Sequence, residues 1–239
     1  MDAAMVDILA LAAHPDDVEQ TCGGTLIRMA EKGYRTGVLD LTAGEMGTRG
    51  TPEQRLEEAE AAARAMLVAE RYNLRLPDAR LEKTLEARMA IAAKIRELRP
   101  RVLILPYGEA RHPDHARASE LGLGACFLAG LRKLDLGGEP HRPAKILYAS
   151  SYAPVRPSFV VDISAQLDRR MNALLCYRSQ YAAQPEGAGL FPEQEDVAER
   201  LRSVARQYGL LIHAQYGEPF VVKEMLRVDD VARMGVPSM

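Results

Sequence analysis

Two short stretches carry the residues best suited to chemistry: Ala13-His14-Pro15-Asp16-Asp17 and Arg111-His112-Pro113-Asp114-His115. At this composition His-Pro-Asp is expected about 0.02 times, and it occurs twice. In the first stretch a tight turn can aim an imidazole and a carboxylate at one point, so His14 and Asp17 read as metal ligands. His115 can supply the third. Three protein ligands and an open position are the make-up of a catalytic zinc site. Nitrogen and oxygen donors without sulfur suit zinc and also admit iron, cobalt or manganese. Asp16 lies between the two ligands and should face elsewhere, so it can approach a metal-bound water without ligating the metal. Taken singly, each motif also fits a plainer role: Asp16 or Asp17 capping one helix, His112 and His115 capping another. Their joint occurrence favours one mononuclear metal centre of hydrolytic type.

The elements around the motifs support that placement. Val6 to Ala13 is an apolar run that reads as a buried strand, and Val18, Cys22, Leu26 and Met29 keep helical spacing up to Gly33. Thr36 to Leu41 is a second strand, so the chain begins β-α-β. A glycine-containing loop, Thr42 to Thr51, leads into a helix with strong start signals: Thr51 as cap, Pro52 in the first turn, Gln54 to complete a capping box. A short strand is expected at Asn73 to Leu76, a helix at Thr84 to Leu98 stopped by Pro100, and a buried strand at Val102 to Leu105. The second motif follows that strand and opens a helix to about Leu131. Strands at Lys145–Ser150 and Phe159–Asp162, a helix at Ser164–Ser179, an exposed loop at Gln184–Pro192, a helix at Glu195–Gln207 and a late strand at Phe220–Val222 complete the reading. Both histidine motifs thus follow strands, and open α/β sheets bind ligands at the carboxyl ends of their strands.

Composition narrows the class. A chain of 239 residues is long enough for one α/β domain, and residues 1–239 are read as a single domain. A net charge of −2 gives no sign of a nucleic-acid or anionic-membrane partner. The three cysteines, Cys22, Cys126 and Cys176, are odd in number and form no CxxC, which argues against a disulfide framework or a thiolate metal site. No signal peptide and no run long enough to span a bilayer is seen, so a cytoplasmic location is the default. His141 and His213 lie outside both motifs and read as surface or packing residues.

With these residues assembled, the chain resembles the LmbE-like (PIG-L) zinc deacetylases. The resemblance rests on Ala13-His14-Pro15-Asp16-Asp17, Gly23-Gly24-Thr25, the Gly44-Glu45 loop, Arg55 and His112-Pro113-Asp114-His115. Within the family it is most similar to the bacillithiol-pathway branch that acts on N-acetyl-α-D-glucosaminyl L-malate. That likeness includes Asn73-Leu74-Arg75-Leu76-Pro77-Asp78, Phe159-Val160-Val161-Asp162-Ile163-Ser164 and Tyr177-Arg178-Ser179-Gln180-Tyr181. The resemblance implies a Rossmann-like three-layer sandwich, a mostly parallel sheet with helices on both faces. It implies His14, Asp17 and His115 as ligands of one Zn2+ per subunit, with Fe2+ or another divalent ion as alternatives. It implies Asp16 as general base, His112 paired with Asp114 as the group facing the oxyanion, and Arg55 as a substrate-binding arginine. Arg49 and Arg111 lie in or beside the same loops and are further candidates for a substrate carboxylate. The partner implied is a small amino-sugar conjugate, and a homo-oligomer, with a hexamer in view, is the expected assembly.

The expected reaction is hydrolytic removal of acetyl from an N-acetylglucosamine conjugate. Conjugates with inositol, chitobiose-type substrates and other amides are alternatives. A metal phosphoesterase would want a richer carboxylate set for two metals. A non-enzymatic metal- or sugar-binding module would leave Asp16 without a purpose.

Overall fold

A computed structural model describes residues 5–150, 153–182, 194–233 and 235–236. The expected loop at Gln184–Pro192 lies outside the described residues. The order of elements is β1 (Ile8–Ala12), α1 (Asp17–Thr21), α2 (Gly23–Glu31), β2 (Thr36–Asp40), α3 (Pro52–Ala65), β3 (Glu70–Asn73), α4 (Leu85–Leu98), β4 (Val102–Pro106), α5 (Pro113–Ala129), β5 (Lys145–Ala149), β6 (Phe159–Asp162), α6 (Leu167–Leu174), α7 (Arg178–Tyr181), α8 (Gln194–Leu210) and β7 (Gly217–Val221).

The strands form one sheet in the order β3-β2-β1-β4-β5-β7-β6. The pairs from β3 to β5 are parallel, whereas β7 runs antiparallel to both β5 and β6. Strand order reverses between β1 and β4, which pair directly through Ile8↔Val102 and Ala10↔Ile104. The two histidine motifs leave the carboxyl ends of those two strands, so they meet at the topological switch point of the sheet.

Alternation along the strands builds a core on each face. Leu9, Leu11, Leu39, Leu103 and Leu105 pack with Ile91, Ile95 and Leu121 of α4 and α5. Ile8, Ala10, Ala12, Val38 and Ile104 pack on the other face with Leu26, Ile27, Ala59, Ala62 and Met66. The result is the expected α/β sandwich with helices on both faces of a mostly parallel sheet. No helix among the described residues is long and apolar enough to cross a membrane.

Several boundaries differ from the sequence reading for physical reasons. The expected capping box of α3 is present, with Gln54 N donating to Thr51 Oγ1 and Thr51 N donating to Gln54 Oε1. The strand expected at Asn73–Leu76 lies earlier, at Glu70–Asn73. The helix expected at Ser164–Ser179 is two short helices, α6 and α7. The helix expected from Val18 to Gly33 breaks at Cys22, whose φ of −144° leaves the helical region. Both broken ends find partners from the C-terminal part of the chain. Arg170 donates to the carbonyls of Glu19 and Gln20 at 2.8 and 2.5 Å, at the end of α1. Glu218 accepts from the amides of Gly24 and Thr25 at 2.8 and 2.7 Å, at the start of α2. Arg170 and Glu218 lie 3.3 Å apart and are both buried, so one ion pair fills the break.

Candidate metal centre

His14 follows β1, and the Pro15-Asp16 turn throws the chain into α1. Asp16 adopts the left-handed region at φ 97°, a conformation that aspartate tolerates better than most residues. Asp17 then turns back: its Oδ2 accepts from the His14 amide at 3.0 Å and lies 3.5 Å from His14 Nδ1. Its Oδ1 is 3.1 Å from His115 Nε2. The expected ligands His14, Asp17 and His115 are therefore brought together, with Asp17 between the two imidazoles.

The cluster is larger than that triad. The rings of His14 and His112 meet edge to face at 4.8 Å, and His112 stacks on His115 at 5.0 Å. The three imidazoles offer nitrogen atoms within 4.8 Å of one another, and so do one atom each of His14, Asp78 and Asp114. Asp78 Oδ1 is 2.9 Å from His14 Nε2, and Asp114 Oδ2 is 3.6 Å from the same nitrogen. Three buried carboxylates, Asp17, Asp78 and Asp114, thus converge on the imidazoles, and buried Asp16 lies beside Asp17 in the chain. Buried like charges need a compensating cation. The all-nitrogen-and-oxygen donor set is of the kind that divalent ions take, so the residues present fit a metal.

The electrostatics among the cluster's own side chains follow from these contacts. Burial alone would push the His14 imidazole down, but its hydrogen bonds and charge pairing with Asp17 and Asp78 raise it to about 10. Burial would raise Asp17, yet His115 and His14 hold it well below the usual carboxylate range. Asp78 falls to about 2, because His14 and the amides of Met46 and Ala79 outweigh its burial. Asp16 moves the other way. Burial and the charge of Asp17 lift it to about 6 against the pull of Arg55 and Tyr181.

His112 caps α5: its Nδ1 accepts from the Asp114 amide at 3.2 Å, and Pro113 takes the first helical position. The capping role and the site role therefore coexist in one side chain. The contact with Asp114 is through the backbone rather than the expected carboxylate, which instead accepts from the Ala79 amide at 2.8 Å. An acceptor Nδ1 assigns the proton of the neutral ring to Nε2. Burial, followed by the charges of His14 and His115, pulls His112 below its ordinary value. These neighbours thus favour the neutral ring.

The arginines divide. Arg55 is buried; Nη2 donates to Pro15 O at 2.8 Å and Nη1 to Gly44 O at 3.3 Å, while Nη2 lies 3.5 Å from Asp16 Oδ1. It ties the first motif to the Gly44 loop and also borders the cleft. Arg49 is buried and donates to the Gln180 carbonyl at 3.1 Å. Arg111 is exposed. The cluster floors an open cleft of about 320 Å³, with Met46, Gly47 and Ala79 on its walls.

Three contributors carried no assigned role from sequence. Asp78 follows β3 at the same sheet edge as the motifs; an acid just beyond a third strand end was the available signal. Glu45 accepts from the Asp78 amide at 2.7 Å and holds that turn. Tyr181 donates to Asp16 Oδ2 at 2.7 Å from α7, where no local pattern marks it.

An α/β sheet with a buried His/Asp cluster at its switch point defines a hydrolase of carbon–nitrogen bonds once its relatives are considered. The chain belongs to the PIG-L (LmbE-like) deacetylase family. The family model described as GlcNAc-PI de-N-acetylase matches residues 9–126. The diacetylchitobiose deacetylase of Thermococcus kodakarensis is 32% identical over 230 residues, covering 88% of this chain and 80% of that protein. A more distant relative is the probable N-acetyl-α-D-glucosaminyl L-malate deacetylase 2 of Bacillus anthracis. It is 28% identical over 192 residues, covering 73% of this chain and 81% of that one. The crystal structure of the conserved protein TT1542 from Thermus thermophilus superposes with a TM-score of 0.85 at 43% identity, over 94% of this chain and 98% of that one.

Proposed function

We propose that this chain is a zinc-dependent N-deacetylase that hydrolyses the acetamide of an N-acetylglucosamine conjugate to acetate and the free amine. The observation that carries this reading is the buried His/Asp cluster with an adjacent, raised-pKa carboxylate, Asp16, at the floor of an open cleft. His14, Asp17 and His115 would hold the ion, and Asp78 and Asp114 complete the negative surroundings. A divalent ion there supplies Lewis-acid polarisation of the amide carbonyl and acidifies a water.

The remaining work falls to the chain's own side chains. Asp16 accepts the proton of the attacking water. His112, with Nδ1 committed to the Asp114 amide, presents Nε2–H to the oxygen on which charge develops. Proton return to the sugar nitrogen falls to Asp16 or His112. The cleft volume is at the lower end of the range for small-molecule sites, which suits one sugar ring with an aglycone reaching solvent. Arg111, exposed and directly before the second motif, is the candidate partner for an aglycone carboxylate. Together with the sequence motifs of the bacillithiol branch, that favours the malate conjugate. The similarity to a diacetylchitobiose deacetylase supports a second reading, a chitobiose-type substrate.

The test is a substrate panel: the malate conjugate, the inositol conjugate, N-acetylglucosamine and its disaccharide, each assayed for amine and acetate with added zinc. Acetate release lost in Asp16→Asn, while bound metal persists, is the expected result. No acetate from any member overturns the reading. Arg111→Ala should raise KM for the malate conjugate more than for plain N-acetylglucosamine; equal effects would remove malate from first place.

A further inference from the structure

Two side chains hold the Asp16 carboxylate, and one of them comes from far along the chain. Tyr181, in α7, donates its hydroxyl to Asp16 Oδ2 at 2.7 Å. The same hydroxyl accepts from Gln20 Nε2 at 3.0 Å. A hydroxyl that accepts one bond while giving another is fixed in direction and polarised toward its acceptor. Arg55 stands at the other oxygen, Oδ1, but at 3.5 Å, and its Nη2 and Nη1 are already given to Pro15 O and Gly44 O. The two carboxylate oxygens are therefore unequal. Oδ2 is committed to Tyr181, and Oδ1 is the oxygen left to take a proton.

The backbone makes such a hold necessary. Asp16 sits at φ 97°, outside the broad wells, with no side-chain capping bond to α1. Its side chain lacks the usual local anchor for an aspartate at a helix start. α7 is in turn clamped to the rest of the site wall. Ser179 donates through N and Oγ to Glu58 of α3 at 2.7 and 2.6 Å. Gln180 Nε2 donates to the Arg49 carbonyl at 2.8 Å. Tyr181 is thus presented by a braced element.

We propose that Tyr181 is a positioning residue for the general base: it pins Oδ2 of Asp16 so that Oδ1 faces the attacking water. This rests on the deacetylase reading above, in which Asp16 accepts that proton. A group that orients an active-site side chain through one hydrogen bond is worth roughly ten- to a hundredfold in function when removed.

The experiment uses the zinc-loaded 239-residue protein with the best substrate of the panel. Wild-type turnover is measured first, and its absence would count against the deacetylase reading itself. For Tyr181→Phe, which removes only the hydroxyl, the expected result is a kcat lower by about ten- to a hundredfold, with KM, bound zinc and Tm close to wild type. A kcat equal to wild type overturns the proposal. So does a loss of kcat that merely follows loss of zinc or of Tm, since that is the pattern of a structural residue. A second measurement separates positioning from bulk effects. Measured on the residual rate of Asp16→Asn at high enzyme concentration, Tyr181→Phe should cost little further, because two residues acting through one group are non-additive. A full additional loss there overturns the route through Asp16. A crystal structure of Tyr181→Phe gives the answer independently of turnover. Asp16 should leave its wild-type rotamer or gain disorder, and an unmoved Asp16 overturns the positioning role.

Discussion

Glu218→Ala should destabilise the protein by about 3–5 kcal/mol, the loss found when one partner of a buried ion pair is removed. The structure shows what would be left behind. The Glu218 carboxylate takes the amide of Gly24 at 2.8 Å, the amide and hydroxyl of Thr25 at 2.7 and 2.5 Å, and faces Arg170 at 3.3 Å. All of these groups are buried, so water cannot replace the acceptor without opening the interface. Each orphaned buried donor costs about 1–3 kcal/mol. That count describes the same loss from the donors' side, so the two figures are not added. Arg170 keeps its bonds to Glu19 O and Gln20 O, which tempers the penalty on its charge. For a chain of this size the change corresponds to a Tm lower by about 6–20 °C. Glu218→Gln, which retains an acceptor oxygen and loses the charge, should fall between wild type and Glu218→Ala. Urea denaturation followed by circular dichroism, together with a thermal scan, measures both. A loss below about 1 kcal/mol, the value of an ordinary exposed pair, would refute the argument that this pair fills the helix break. Because α1 carries Asp17, zinc affinity of Glu218→Ala should fall alongside stability.

Three further outcomes are expected. Gly44 has φ +67°, and a Cβ there would run into the Arg55 guanidinium; Gly44→Ala should cost about 1–3 kcal/mol and cut turnover, and an unchanged urea midpoint would count against it. Chelation should lower Tm, and zinc restored to 100 times its Kd should return about 2.7 kcal/mol; Asp17→Asn should abolish that response, and a wild-type Tm indifferent to chelator would contradict the metal site. Asp162 is raised by partial burial but lowered more by the Ser164 hydroxyl and amide and by Arg28, so it titrates below its ordinary value. A depressed carboxylate stabilises above its unfolded value, about 3.9, and loses this as pH falls through the folded value. Asp162→Asn should therefore destabilise at pH 7, with the gap to wild type narrowing as pH falls below the unfolded value, as read by urea midpoints; a gap that does not narrow on acidification would contradict the sign.

The bonds that complete the site cross long stretches of chain. His14 meets Asp78 across 64 positions, Asp16 meets Tyr181 across 165, and Glu218 reaches Gly24 across 194. Such contacts leave no periodic trace. The helix break at Cys22 is hidden for a related reason: Val18, Cys22 and Leu26 keep apolar spacing straight through it, and all three are buried. Burial periodicity reports which face is covered. It does not report whether the backbone hydrogen bonds run on, and here two distant side chains take them over.

Features encoded within a few positions were legible in the chain. The α3 capping box and the two His-Pro-Asp turns depend on near neighbours and stand where the pattern puts them, and the order of strands and helices follows it too, although β3 is shifted and two expected helices are broken. Composition argued against a thiolate site, and the cluster is built from imidazole and carboxylate. Packing, by contrast, made β1 and β4 neighbours, inserted β7 antiparallel between β5 and β6, and drew Asp78 and Tyr181 into the cluster. It also moved the Asp114 contact of His112 from carboxylate to backbone. The difference is one of range: turns and caps are settled by near neighbours, whereas a buried carboxylate takes whichever donor the packed fold brings within about 3 Å.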